Sequence, residues 1–226
     1  MSSNPIWAAY VAADPFGQVI FVSLFALSVG TWLLIGWKGW LLWRVQRLDQ
    51  QFERSWKGIQ DQPLALRIPV MQISPPFLGL YSTLQTEGLR LIERNQCLHS
   101  SASLQEADLR LLQESAQTSC STEIDRLESY LFLLSTSVSL APFLGLLGTV
   151  WGILDTFTQL HGASFSNEAF LAGLSTALAT TVLGLVIAIP ALIGYNVLRH
   201  LIRCREGELA RFAQQMLNQV TVAHRV

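Results

Sequence analysis

Ala169–Leu198, AFLAGLSTALATTVLGLVIAIPALIGYNVL, is a run of 30 residues without a charge. A bilayer core of about 30 Å needs about 20 helical residues at about 1.5 Å each. The run is long enough to cross, and in lipid a crossing backbone must satisfy its own hydrogen bonds as a helix. Two more gaps lie upstream. Between Asp14 and Lys38 stand 23 uncharged residues, and between Glu128 and Asp155 stand 26. Three such helices in a chain of 226 residues argue against burial in a soluble core. The composition agrees: half the residues are apolar and 14% are charged, against about 25% in soluble proteins. The mean hydropathy is +0.36.

The net charge of −1 leaves no basic field for nucleic acid. Cys97, Cys120 and Cys204 lie far apart with no CxxC pair, so neither a zinc site nor a disulfide framework is signalled. Residues 1–14 carry no Lys or Arg, so the first apolar run is expected to be a retained span and not a cleaved signal peptide.

The basic residues set the orientation. None lies in 1–37 or between Arg126 and Arg199, whereas Lys38, Arg44, Arg47, Arg54 and Lys57 follow the first span. Arg199, Arg203, Arg205 and Arg211 follow the third. The positive-inside rule then predicts N-out and C-in. The expected layout is an outer N-terminus (1–15), spans at 16–37, 129–156 and 171–198, an inner helical loop (38–128), an outer loop (157–170) and an inner C-terminal helix (199–226). Trp32, Trp37, Trp40 and Trp43 would form an inner aromatic belt, with Trp7 and Tyr10 outside. All three cysteines fall on the reducing side.

In the inner loop, Pro63, Pro69 and Pro75-Pro76 punctuate the chain. From Phe77, the residues Leu80, Leu84, Leu91 and Ile92 form one helical stripe. Asn95–Ser103 reads as a polar break. A second stripe runs through Leu104, Leu111, Leu112, Ser115, Ile124 and Leu127. No Gly or Pro separates it from the second span, so one continuous helix is expected to rise into the membrane. The third span is expected to continue inward through Leu198, Leu201, Ile202, Leu209, Phe212, Met216 and Val220. The fold class is all-α, with spans two and three extended into a cytoplasmic helical bundle.

Span two carries Gly145, Gly148, Thr149, Gly152 and Thr156 at steps of three and four. Span three carries Gly173, Thr176, Ala177, Thr180, Thr181, Gly184, Ala188 and Ala191 at similar steps. Small residues let helices approach closely in lipid, so Gly145, Gly148, Gly152, Gly173, Ala177 and Gly184 are candidate packing positions. The threonines either bond back to their own helix or line a shared polar interior, and periodicity leaves both open. Pro142 and Pro190 lie inside the spans, and Pro190 is expected to bend the third. Asp155 and Glu168 stand near the outer ends, so no ionisable group lies at mid-membrane. A proton pump acting alone usually needs one. Either the chain does not conduct or a partner supplies the acid.

The run Ala141–Leu154, APFLGLLGTVWGIL, resembles the second span of the TolQ/ExbB branch of the MotA/TolQ/ExbB family. Gly173–Val197, GLSTALATTVLGLVIAIPALIGYNV, resembles its third span. Span count and the large inner loop also look like that branch, whereas the four-span flagellar stator members fit less well. The resemblance implies a pore-forming homo-oligomer, a pentamer, in the bacterial inner membrane. Spans two and three would enclose single helices of a TolR/ExbD-like partner, each bearing an intramembrane aspartate. It further implies that proton motive force, at about 2.3 kcal/mol per proton per 100 mV, energises a TonB- or TolA-like protein. The roles implied are TonB-dependent uptake or outer-membrane integrity, and the motifs do not choose between them.

The family's functional threonines match Thr149 and Thr181, with Thr180 adjacent. Where members carry a glutamate in a GxxEA run, this chain reads Gly173-Leu174-Ser175-Thr176-Ala177. Asp155 is a candidate to compensate: its depth agrees with that of Thr176, but its angular position does not clearly agree. The expected proton pathway is therefore Thr149, Thr181, Thr180, Thr176 and Asp155. The alternative is a non-conducting membrane scaffold that assembles partner proteins, which the missing glutamate favours. No nucleophile–base pair or metal cluster sits in the spans, and His99, His161, His200 and His224 are isolated, so no enzyme, metal or cofactor is expected.

Overall fold

The computed structural model describes residues 10–11, 13–57, 76–99, 104–160 and 167–224. Among them the chain is all-helical, with five helices longer than one turn: α1 (Pro15–Lys57), α2 (Pro76–His99), α3 (Glu106–Glu128), α4 (Leu131–Leu160) and α5 (Asn167–His224). Stretches of α1, α4 and α5 are long and apolar enough to cross a membrane. Trp7, Pro63, Pro69, Pro75 and the 161–166 segment, all named above, lie outside the described residues.

The chain divides into two compact units. One gathers the described residues up to Lys38 with Tyr130–Leu198, and the other gathers Gly39–Ser129 with the residues from Arg199 onward. In the first unit, Ile20, Leu24, Ala141, Ile187 and Ala188 form the buried centre, with Leu27, Leu144 and Leu183 against it. The outward faces are apolar as well: Phe25, Phe143, Val182 and Ile193 are each 60% or more exposed. A contiguous surface of this kind does not belong in water. It suits lipid or further copies of the chain.

In the second unit α2 and α3 pair Asn95 with Asp108, Thr83 with Ser119 and Gly79 with Glu123. The falling and rising numbers make the two helices antiparallel. The core is filled by Leu80, Tyr81, Leu84, Leu112, Ile202, Leu209, Phe212 and Met216. The Phe77 and Phe212 rings meet edge to face at 5.2 Å. Arg44 lies over Trp40 and Arg47 over Trp43, each one helical turn on.

Three expectations need correction. The helix leading to span two is not continuous: α3 ends at Glu128 and α4 begins at Leu131. Ser129 closes the end by donating its N–H to Asp125 O, and Tyr130 adopts φ 67°. Tyr130 also meets Trp37 edge to face at 5.6 Å, a tertiary contact with no local signal. Asn95 does not begin a polar break, because α2 continues to His99. Its amide is buried and donates to Asp108, so its polarity serves a partner helix. Leu111 and Leu201 face outward, since each adjoins a buried neighbour (Leu112, Ile202) about 100° round the helix.

Candidate functional site

The site lies where α4 and α5 cross within the first unit. Their approach is set by residues without bulk. A Cβ on Gly145 would stand 2.9 Å from Thr180 O and 3.0 Å from Thr181 Cα. One on Gly184 would stand 2.5 Å from Ala141 O and 3.2 Å from Gly145 Cα. Gly148 faces the Thr180 side chain, Gly152 faces Ala177 and Gly173 faces Thr156. These pairs run in opposite directions along the chain, so α4 and α5 are antiparallel. The two helices touch backbone to backbone, as small residues permit in lipid.

That closeness brings hydroxyls of one helix to carbonyls of the other. Thr149 Oγ1 lies 3.1 Å from Gly145 O on its own helix and 3.2 Å from Ala177 O on α5. It also contacts Thr181 Oγ1 directly, with either hydroxyl able to donate. Thr181 Oγ1 reaches Gly145 O at 3.0 Å. Thr180, buried at 2% exposure, reaches Ala177 O at 2.7 Å and Gly145 O at 3.2 Å. Each hydroxyl owns one proton. Three hydroxyls thus share two carbonyl oxygens and one another, with more contacts than protons to fill them. The threonines bond back along their own helix and also across to the neighbour.

Thr176 and Thr156 keep to their own helices, bonding Ala172 O at 2.9 Å and Gly152 O at 2.6 Å. Asp155 and Thr176, on different helices, line one cavity of ≈ 40 Å³ together with Asp14, Trp151, Thr156 and Thr180. Asp14 and Trp151 escape sequence reasoning here. Asp14 bounds the first uncharged gap and Trp151 lies within the Ala141–Leu154 run, and nothing local marks either. Pro142 and Pro190 lie inside α4 and α5, which continue through them.

Several known proteins are similar to this chain in sequence. The sequence pattern of the MotA/TolQ/ExbB proton channel family matches residues 78–210. The Tol-Pal system protein TolQ of Haemophilus influenzae is 28% identical over 218 residues, covering 96% of this chain and 92% of that protein. TolQ of Pseudomonas aeruginosa is 30% identical over 194 residues, covering 84% and 81%. The biopolymer transport protein ExbB of Salmonella typhimurium is 28% identical over 218 residues, covering 94% and 84%. With a match across more than half its length, and with the paired threonines and glycine-lined helix contact found within the matched stretch, the chain belongs to the MotA/TolQ/ExbB proton channel family.

Proposed function

We propose that this chain is the channel-forming stator subunit of a multi-pass inner-membrane complex that uses the proton motive force. Several copies, five by family resemblance, would wall a cavity that holds the single span of a TolR/ExbD-like partner. The complex would energise a TonB- or TolA-like protein. The observation that carries the reading is the Thr149–Thr181 hydroxyl contact, set in a helix pair whose central stretches hold no charged residue. An intramembrane carboxylate is costly without partners, and hydroxyls that accept and donate suit a carboxylate arriving on another polypeptide. The apolar outer faces of the first unit fit a wall in contact with lipid and with other copies.

A second reading is a non-conducting scaffold, which Thr176 at the position of the family's glutamate favours. Co-purification in mild detergent with mass spectrometry of the bound proteins tests the partner. Proton uptake by liposomes carrying the purified complex separates the two readings. Uptake lost in Thr149→Val and Thr181→Val supports the channel, and a wild-type complex that assembles without any uptake overturns it.

A further inference from the structure

Asp49 lies in the part of α1 that belongs to the second unit and plays no part in the proposed channel. It is 3% exposed, and both of its carboxyl oxygens are buried without a hydrogen-bond partner. A charge placed there is costly, so the site favours the neutral carboxyl. Among the described residues, three helices face it. α2 turns the Phe77 N–H of its first turn toward the carboxyl without closing a hydrogen bond. α3 brings Glu123, itself paired with Arg126 at 2.8 Å. α5 brings Arg205 and Glu208. Of the charged groups that act on Asp49 among the described residues, Arg205 is the one cation. It is committed elsewhere: its Nη1 donates to Glu208 Oε2 at 2.7 Å, one turn along α5. The Glu208 side chain is 43% exposed and can fall back on water, which the buried Asp49 carboxyl cannot. A partly exposed pair within one helix is also worth little, so Arg205 gives it up readily for a buried charge.

We propose that Asp49 and Arg205 form a pH-operated latch in the second unit: with Asp49 neutral, Arg205 stays on Glu208 within α5, and with Asp49 ionised, Arg205 leaves Glu208 and ties α5 to α1. The inference goes beyond the channel reading and does not depend on it, since it concerns how the second unit is held together. The step is a deprotonation: the carboxyl O–H breaks, water takes the proton, and the guanidinium moves over to the oxygen left charged. Burial pushes the Asp49 pKa from the ordinary 3.8 up to about 7, with Arg205 and the Phe77 N–H pulling it down and Glu208 and Glu123 pushing it further up. The change of partner therefore falls near neutral pH. Between about pH 4 and about pH 7 the native state binds the extra proton, so stability falls as pH rises through that window and levels off above it.

The test follows the full-length chain in its detergent-solubilised assembly. Infrared difference spectra are taken from about pH 5 to about pH 9, once with isotope-labelled aspartate and once with isotope-labelled arginine. A carboxyl C=O band should fade near neutral pH, and a guanidinium band should shift with the same midpoint. Asp49→Asn should remove both changes, and Asp49→Glu should restore the carboxyl band at a shifted frequency. Arg205→Lys should remove the guanidinium change alone. Glu208→Gln frees Arg205 and should move the midpoint toward acid pH by about one pH unit. In thermal melts Asp49→Asn should match the wild type near pH 4 and exceed it above about pH 7. A wild-type assembly with no carboxyl band that titrates in this range overturns the latch, whether or not any variant folds. A carboxyl band that titrates while the guanidinium band holds still also overturns it, because Asp49 then ionises without taking Arg205. Either result leaves the channel reading untouched.

Discussion

The hydroxyls of Thr149 and Thr181 meet across the contact between α4 and α5, and both also reach the Gly145 carbonyl. Valine copies the shape of threonine and removes the hydroxyl. The carbonyls concerned keep Thr180 as a donor in either single variant. Thr149→Val and Thr181→Val should therefore cost no more than about 1 kcal/mol of stability. Each should still lower proton-driven activity tenfold or more, on the order seen when a proton-handling group is lost. Thr149→Ser and Thr181→Ser should restore most of it. Thermal melts in detergent beside a proton-dependent growth or uptake assay separate the two effects. Full activity in both valine variants would remove the pair from the mechanism.

Gly145 and Gly184 face each other with their neighbours' backbones where a Cβ would go. Backbone cannot swing aside as a flexible side chain can, so Gly145→Ala and Gly184→Ala must push α4 and α5 apart. Overpacking of this kind costs about 1–3 kcal/mol. Gly207, in the part of α5 that belongs to the second unit, has nothing within 4 Å of the same position. Gly207→Ala should instead raise stability by about 0.5–1 kcal/mol through helix propensity. Melting temperatures of the three variants, measured together, should move in opposite directions.

The long apolar helices were legible because bilayer thickness imposes a length that charge gaps betray. The small-residue contact was legible as a spacing of three and four. The choice of Thr149 with Thr181 came from family resemblance, since periodicity gave Thr156, Thr176 and Thr180 equal claim. What escaped depends on register between segments. Asn95 and Arg94 meet Asp108 only because α2 turns back on α3, and nothing local marks a buried amide as a partner and not a loop residue. The break at Ser129–Tyr130 escaped for a related reason: neither Gly nor Pro is present, and an edge-to-face ring contact holds the turn.

Asp108 clips the α2–α3 pair at the end where α2 finishes and α3 begins. It accepts from Arg94 at 2.5 Å, Asn95 at 2.7 Å and the Gln105 N–H at 3.1 Å. Burial opposes its charge, but the bonds from Asn95 and Gln105 and the Arg94 charge hold its pKa below the ordinary 3.8. A depressed carboxylate means that the unfolded state binds more protons below that value. Its contribution is present above about pH 4 and fades as pH falls through the folded pKa. Asp108→Ala should cost about 2–4 kcal/mol, because it strands the buried Asn95 amide. Asp108→Asn should flatten the acid limb of a melting-temperature profile below about pH 5.

Glu123 has the opposite sign. Burial raises its pKa above the ordinary 4.5, and Arg126 at 2.8 Å offsets this in part. The native state then binds more protons than the unfolded chain, so stability falls as pH rises through that window. Glu123→Gln keeps the shape beside Gly79 and removes the charge. Its melting temperature should exceed that of the wild type at neutral pH and match it near pH 4. A lower value at neutral pH would show that the Arg126 pairing outweighs the burial.

Tyr130 holds a left-handed backbone conformation, φ 67°, that costs a side-chain-bearing residue about 1 kcal/mol. It is kept there by its ring, which lies edge-on to Trp37 at 5.6 Å and 5.9 Å from Lys38 Nζ. The aromatic pair and the cation–π contact together supply about 1–2 kcal/mol. Glycine removes both the strain and the ring, so Tyr130→Gly should lie close to wild type in stability. Alanine keeps the strain and loses the ring, so Tyr130→Ala should fall about 1 kcal/mol below Tyr130→Gly. Thermal melts of the two variants decide it. Alanine equal to or above glycine would mean that the turn at 129–130 relaxes into a continuous helix once the ring is gone.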